Sequence, residues 1–159
     1  MARSFDPIAV LLQEHNDALE QLKRLNDAVA VLNETGYTKS LSRKLAESLR
    51  YVEHEVKDHN KKEEEALFPI LEKYVEGPTK LMRSDHKKLR KGFDQLRDAI
   101  EHLEQNQDSF KAMRNLSVVA KTIVQLFVNH IHKENYILFP LVQKLLTKDE
   151  LREVARKMI

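Results

Sequence analysis

Two copies of the pattern His-x-x-x-Glu stand in this sequence, His59 with Glu63 and His130 with Glu134, together with the lone histidines His15 and His86. Residues four apart on a helix lie one above the other, so each pair presents an imidazole and a carboxylate to a single point. Nitrogen and oxygen donors of this kind suit iron, manganese or zinc. The chain has no cysteine, which excludes disulfides, thiolate metal sites and iron–sulfur clusters held by this chain alone.

The helices that must carry these donors are legible in the apolar periodicity. Ile8, Leu11, His15, Ala18, Leu22, Leu25, Val29 and Leu32 alternate at three and four residues, the seam of a helix facing a bundle core. A second seam runs Leu45, Leu49, Val52, Val56, His59, Glu63, Ala66, Ile70, and a third Met82, His86, Leu89, Phe93, Leu96, Ile100, Leu103. The fourth runs Met113, Leu116, Ala120, Ile123, Phe127, His130, Glu134, Ile137, Leu141. Each seam thus sends one histidine inward, and the second and fourth add a glutamate.

An internal repeat supports the same set. A gapless offset of 71 residues maps His15 to His86, His59 to His130, Glu63 to Glu134, Phe68 to Phe139 and Pro69 to Pro140. Seven of the fifteen pairs from 59 to 73 are identical, so the chain reads as two helical hairpins related by a pseudo-twofold.

Punctuation sets the expected bounds. Asp6 and Pro7 open a helix over about 7–34 that Gly36 stops, and a second runs from about Thr38 to Glu76, before Gly77 and Pro78. A third spans about Thr79 to Gln105, and Asp108 or Ser109 caps a fourth that reaches about Leu146. Thr147 to Asp149 can cap a short fifth helix. Residues 1–159 are then one all-α domain, an antiparallel up-down-up-down four-helix bundle of two hairpins, about 7–76 and 79–146, with a short C-terminal fifth helix. Pro69 and Pro140 each predict a kink, because proline gives no N–H and crowds the carbonyl four residues back.

Composition agrees. Charged residues make up 33% and apolar residues 42%, with three glycines and no tryptophan, which favours long helices and almost no strand. The net charge of +2 is spread over alternating lysines and glutamates, so no nucleic-acid footprint appears. The apolar run Ile8 to Leu12 is too short for a signal peptide or a membrane span, and the expected location is cytoplasmic.

Four imidazoles and two carboxylates buried without partners would cost several kcal/mol per ion. Two divalent ions compensate: two histidines per metal with both glutamates bridging give about four protein ligands each and leave a position open. Iron leads, because carboxylate-bridged pairs in helix bundles commonly hold di-iron or di-manganese. His54, His102 and His132 fall off the seams and are expected at the surface. Tyr51, two turns before His59, is either a flank residue or a weak ligand or proton donor near the cluster. The neighbours of Glu63 in the charge run Lys61 to Glu65 are expected to form a solvated face, and Gly92 to permit close helix packing.

The doubled His-x-x-x-Glu followed by Leu-Phe-Pro, with Gln-Glu-His15 and Ser-Asp-His86, resembles the hemerythrin HHE cation-binding family over nearly the whole chain. The resemblance implies an antiparallel four-helix bundle with a non-haem di-iron centre bridged by an oxo or hydroxo group and two carboxylates. The oxygen carriers of that family have a fifth histidine one turn after the third-helix ligand, where this chain has Arg90, and an aspartate five residues after the fourth-helix histidine, where it has Glu134 at four. Four histidines and two glutamates look more like the iron-centre repair proteins and bacterial hemerythrin-like proteins linked to nitric oxide or peroxide. The repair proteins usually carry a further cysteine-bearing N-terminal segment, and these 159 residues contain neither it nor a cysteine. The expected function is binding or reduction of dioxygen, nitric oxide or peroxide at the open iron position, with no nucleic-acid or membrane partner. The alternative is iron sensing, storage or donation to a damaged protein partner.

Overall fold

Four helices begin where a side chain answers the free N–H groups of the first turn. In the computed structural model, which describes residues 5–159, α1 spans Pro7–Thr35, and Asp6 accepts from the amides of Ile8 and Ala9 at its start. Gly36 ends it with φ +88° and ψ 173°, a conformation that a side chain would strain. Thr38 caps α2, Lys39–Lys62, and Ser109, not Asp108, caps α5, Phe110–Lys133. The last helix, α7 over Lys148–Lys157, opens on a reciprocal capping box between Thr147 and Glu150.

Between these elements the rods are not plain α-helix. α2 passes through a π-helical turn, Glu63–Leu67, into α3, Phe68–Leu71; α5 passes through a second, Glu134–Leu138, into α6, Phe139–Leu145. The amides of Phe68 and Phe139 reach back five residues to the carbonyls of Glu63 and Glu134. The expected proline kinks therefore take this form: a wider turn ahead of Pro69 and Pro140 relieves the crowding that either ring would cause in an α-helical turn. The second rod ends at Leu71, earlier than Glu76, and α4 spans Gly77–Gln105, with Gly77 and Pro78 as its first turn and not as a break before it.

α1, α2, α4 and α5 form the antiparallel bundle, and no strand occurs among the described residues. Two apolar cores fill it. The larger, with Leu25, Leu45, Leu96 and Leu116, occupies the end nearest the α1–α2 and α4–α5 loops. The smaller, with Leu11, Phe68, Met82 and Phe139, lies at the opposite end, where Val154 and Met158 of α7 close it. Every donor histidine sits between the two cores on its own helix. No helix of the described residues is long and apolar enough to cross a membrane.

The π turns also correct the fourth seam. One extra residue in the turn rotates the helix beyond it, so Leu138 and Val142 are buried while Ile137 stands 59% exposed.

Candidate metal centre

Helix register brings the six polar seam residues together. His15, His59, Glu63, His86, His130 and Glu134 are all buried, none more than 6% exposed, in the layer between the two cores. Each histidine turns Nε2 inward. His15 Nε2 lies 3.0 Å from His59 Nε2 and 2.8 Å from Glu134 Oε1; His59 Nε2 lies 2.6 Å from Glu63 Oε1. On the other side, His130 Nε2 is 3.2 Å from Glu134 Oε1 and His86 Nε2 is 4.0 Å from Glu63 Oε1. Donor atoms fall into two groups, His15, His59, Glu63, Glu134 and Glu63, His86, His130, Glu134, each with all its atoms within 4.8 Å of one another. Both glutamates belong to both groups.

The cluster does not satisfy itself. Both carboxylate oxygens of Glu63, one of Glu134, and Nε2 of His86 and His130 are buried with no hydrogen-bond partner. Glu63 Oε1 and His59 Nε2 are close but lack hydrogen-bond alignment. Buried polar groups are ordinarily paired, and each orphan costs about 1–3 kcal/mol, more if charged. A cation at the focus of each group would pair them all, so these residues fit a pair of metal ions.

Charges within the cluster follow the same geometry. Burial opposes a charge on His59, but the carboxylates of Glu63 and Glu14 outweigh it and raise its pKa to about 9. His15 is lowered to about 4, first by burial and then by the charge on His59. Burial likewise lowers His130 to about 4 against the pull of Glu63. Glu63 stays ionised despite its burial, which opposes the charge, because the surrounding histidines hold its pKa down.

The model of the hemerythrin HHE cation-binding domain matches residues 6–142, a stretch that contains all six donors. The chain belongs to that family. This hemerythrin domain is 27% identical over 132 residues to the iron-sulfur cluster repair protein YtfE of Edwardsiella ictaluri, covering 80% of this chain and 59% of that protein. It is 25% identical over 130 residues to the YtfE proteins of Yersinia pestis strain Pestoides F and Yersinia pseudotuberculosis serotype O:1b, with 79% of this chain and 58% of each relative covered. The chain thus spans under two thirds of the length of these relatives.

Around the six donors the hemerythrin domain has a ring of residues that periodicity alone did not reveal. The Nδ1–H of His59 donates to Glu14 Oε1 at 3.0 Å, and Lys62 Nζ donates to the other oxygen at 2.6 Å. In the second hairpin Asp85 takes the same place, accepting from His130 Nδ1 at 3.2 Å and from Lys133 Nζ at 3.0 Å. His86 Nδ1 donates to Glu64 Oε1 at 3.0 Å, and His15 Nδ1 to Asn135 Oδ1 at 2.8 Å. These bonds fix the tautomer that leaves Nε2 free for a metal. Phe139 stacks on the ring of His15 at 5.5 Å and Phe68 on that of His86 at 5.9 Å. A signal was present: Glu14 and Asp85, Lys62 and Lys133, and Glu64 and Asn135 are all mates under the 71-residue offset.

Two sequence expectations change or resolve here. Tyr51 is 45% exposed, because it lies off the stripe of Leu49, Val52 and Val56, and it bonds to none of the donors. Glu64 is not part of a solvated face, since it is half-buried against His86. Arg90 is exposed on α4 and lines a cavity of about 490 Å³ between α2 and α4, together with Asn60 and Glu64. His54, His102 and His132 are exposed, as their positions off the seams predict. A Cβ on Gly92 would stand 2.5 Å from Ile123 Cδ1, so this glycine does allow α4 and α5 to approach.

Proposed function

We propose that this domain holds two iron ions, one on His15 and His59 and one on His86 and His130, with Glu63 and Glu134 shared, and that the pair binds or reduces dioxygen, nitric oxide or peroxide. The observation that carries this reading is the set of five buried donor atoms with no partner in the protein. Two cations of the family's kind would pair all five. Manganese or zinc would meet the same donors, and iron is favoured by the family and by the repair-protein relatives.

Once bound, an iron pair supplies redox change and an open position for a small ligand. The chain's own residues do the rest. Glu14, Glu64, Asp85 and Asn135 hold the imidazoles in one tautomer and orientation. Phe68 and Phe139 wall the faces of His86 and His15 and keep the donor layer dry. A cytoplasmic location belongs to the same reading.

A second reading rests on the relatives named for iron-sulfur cluster repair: the centre senses iron, stores it or gives it to a damaged protein partner. Elemental analysis of the purified protein with its visible spectrum tests the shared premise, and about two irons per chain are expected. Fast peroxide or nitric oxide consumption by the loaded protein supports the first reading. Rapid iron loss to an apo-protein acceptor, without such turnover, supports the second.

A further inference from the structure

The ring around the donors obeys the pseudo-twofold at every place but one. Glu14 and Asp85 are both carboxylates and Lys62 and Lys133 are both lysines, yet the residue behind His86 is Glu64 and its mate behind His15 is Asn135. One lone imidazole therefore leans on a charged oxygen and the other on a neutral amide oxygen at nearly the same distance, 3.0 against 2.8 Å.

The other charges do not erase this difference. Glu14 and Asp85 are each compensated by a lysine, at 2.6 and 3.0 Å. Glu64 has no lysine or arginine ion pair among the described residues; the nearby Arg83 reaches its backbone carbonyl at 3.5 Å and spends its charge on Glu72. Asp58 adds a negative charge beside Lys62 on the His15 side, but it is 52% exposed and water screens it. A carboxylate behind an imidazole makes Nε2 a stronger donor, and losing such a partner costs about 10–100-fold in metal affinity.

We infer that Glu64 makes the two metal positions unequal: the His86–His130 position binds its ion tightly, and the His15–His59 position holds the exchangeable one. This rests on the two-metal reading above and deepens it, because one position stays loaded while the other gives up or reloads its ion. Glu64 acts here as a positioning residue, through His86.

The test is an anaerobic titration of metal-free protein with Fe²⁺ against a chromophoric chelator. Two binding steps separated by roughly tenfold or more are expected, and crystals loaded with one equivalent should show anomalous scattering at His86 and His130. Glu64→Gln keeps the hydrogen bond but removes the charge, so the tight step should weaken until the two merge. Asn135→Asp should instead tighten the weak step and also merge them, which a merely structural role for either residue would not do. Two ions bound with steps less than threefold apart, or steps unmoved by both variants, would overturn the inference while leaving the two-metal reading intact. Fewer than two ions bound by the wild-type protein would overturn that reading and the inference together.

Discussion

Glu14 and Asp85 make the same contacts in opposite halves of the bundle: each carboxylate accepts one hydrogen bond from Nδ1–H of a buried histidine and another from Nζ of the lysine three residues after it. Neither touches the interior of the donor cluster. Both act by holding His59 and His130 with Nε2 turned inward, and both are held ionised against the cost of burial by those same partners. Glu14→Gln and Asp85→Asn should each lower metal affinity by roughly tenfold or more, with far-UV circular dichroism unchanged. Chelator competition measures it, and wild-type affinity in both variants would mean that the imidazoles orient without help.

Removing the metal should lower thermal stability. The orphaned atoms of Glu63, Glu134, His86 and His130 are buried in the folded chain and solvated in the unfolded one, so metal-binding free energy appears as folding free energy. At a free metal concentration about a thousandfold above Kd the gain is about 4 kcal/mol, or roughly 8–16 °C in Tm for a chain of this size. Scanning calorimetry of the loaded and chelated protein decides the matter, and equal melting temperatures would count against a buried site.

His59→Ala and His130→Ala remove inward nitrogens from the two groups and should each reduce bound metal. His102→Ala, at an exposed position on α4, should leave it unchanged. Loss of the same amount of metal in all three variants, read by elemental analysis, would disconnect the site from the seam.

Metal uptake should release a proton and strengthen as pH rises. His59, held up at about 9 by Glu63 and Glu14 against the cost of burial, carries a proton near neutrality in the metal-free protein. Coordination needs its lone pair, so the proton competes with the metal. Raising the pH removes the competitor, and affinity should climb by up to roughly tenfold per unit until the pH passes about 9. Calorimetric titrations in buffers of different ionisation enthalpy count the protons; affinity that stays flat from neutrality to pH 9 would show His59 already neutral.

How much of this was legible in the sequence depends on which physical rule each feature obeys. The four rods and the six donors follow a helical period that holds without interruption from Ile8 to Leu32 and from Met82 to Leu103, and there the expected seams are the buried ones. Caps at Asp6, Thr38 and Ser109 are local chemistry and could be read directly. The residues behind the imidazoles escaped because Glu14, Glu64 and Asn135 sit at the edges of the stripe, where a polar residue normally faces water; only the contact across helices shows that they do not. Tyr51 invited attention by sequence nearness to His59, but its angle on α2 carries it outward.

The seam after Glu134 gives the sharpest test of that distinction. Strict alternation puts Ile137 and Leu141 in the core, whereas the π-helical turn over Glu134–Leu138 inserts a residue and hands the core to Leu138, Phe139 and Val142. Leu138 is fully buried, and Ile137, its immediate neighbour, is 59% exposed. Truncating a buried leucine removes transfer free energy and leaves a cavity, so Leu138→Ala should cost about 2–5 kcal/mol. Ile137→Ala removes atoms already in water and should stay within about 0.5 kcal/mol of wild type. Chemical denaturation of the two variants measures both. The reverse order would mean that the helix runs on as an α-helix, which would also swing Phe139 away from the face of His15, because the same inserted residue aims that ring at the layer of buried histidines and glutamates.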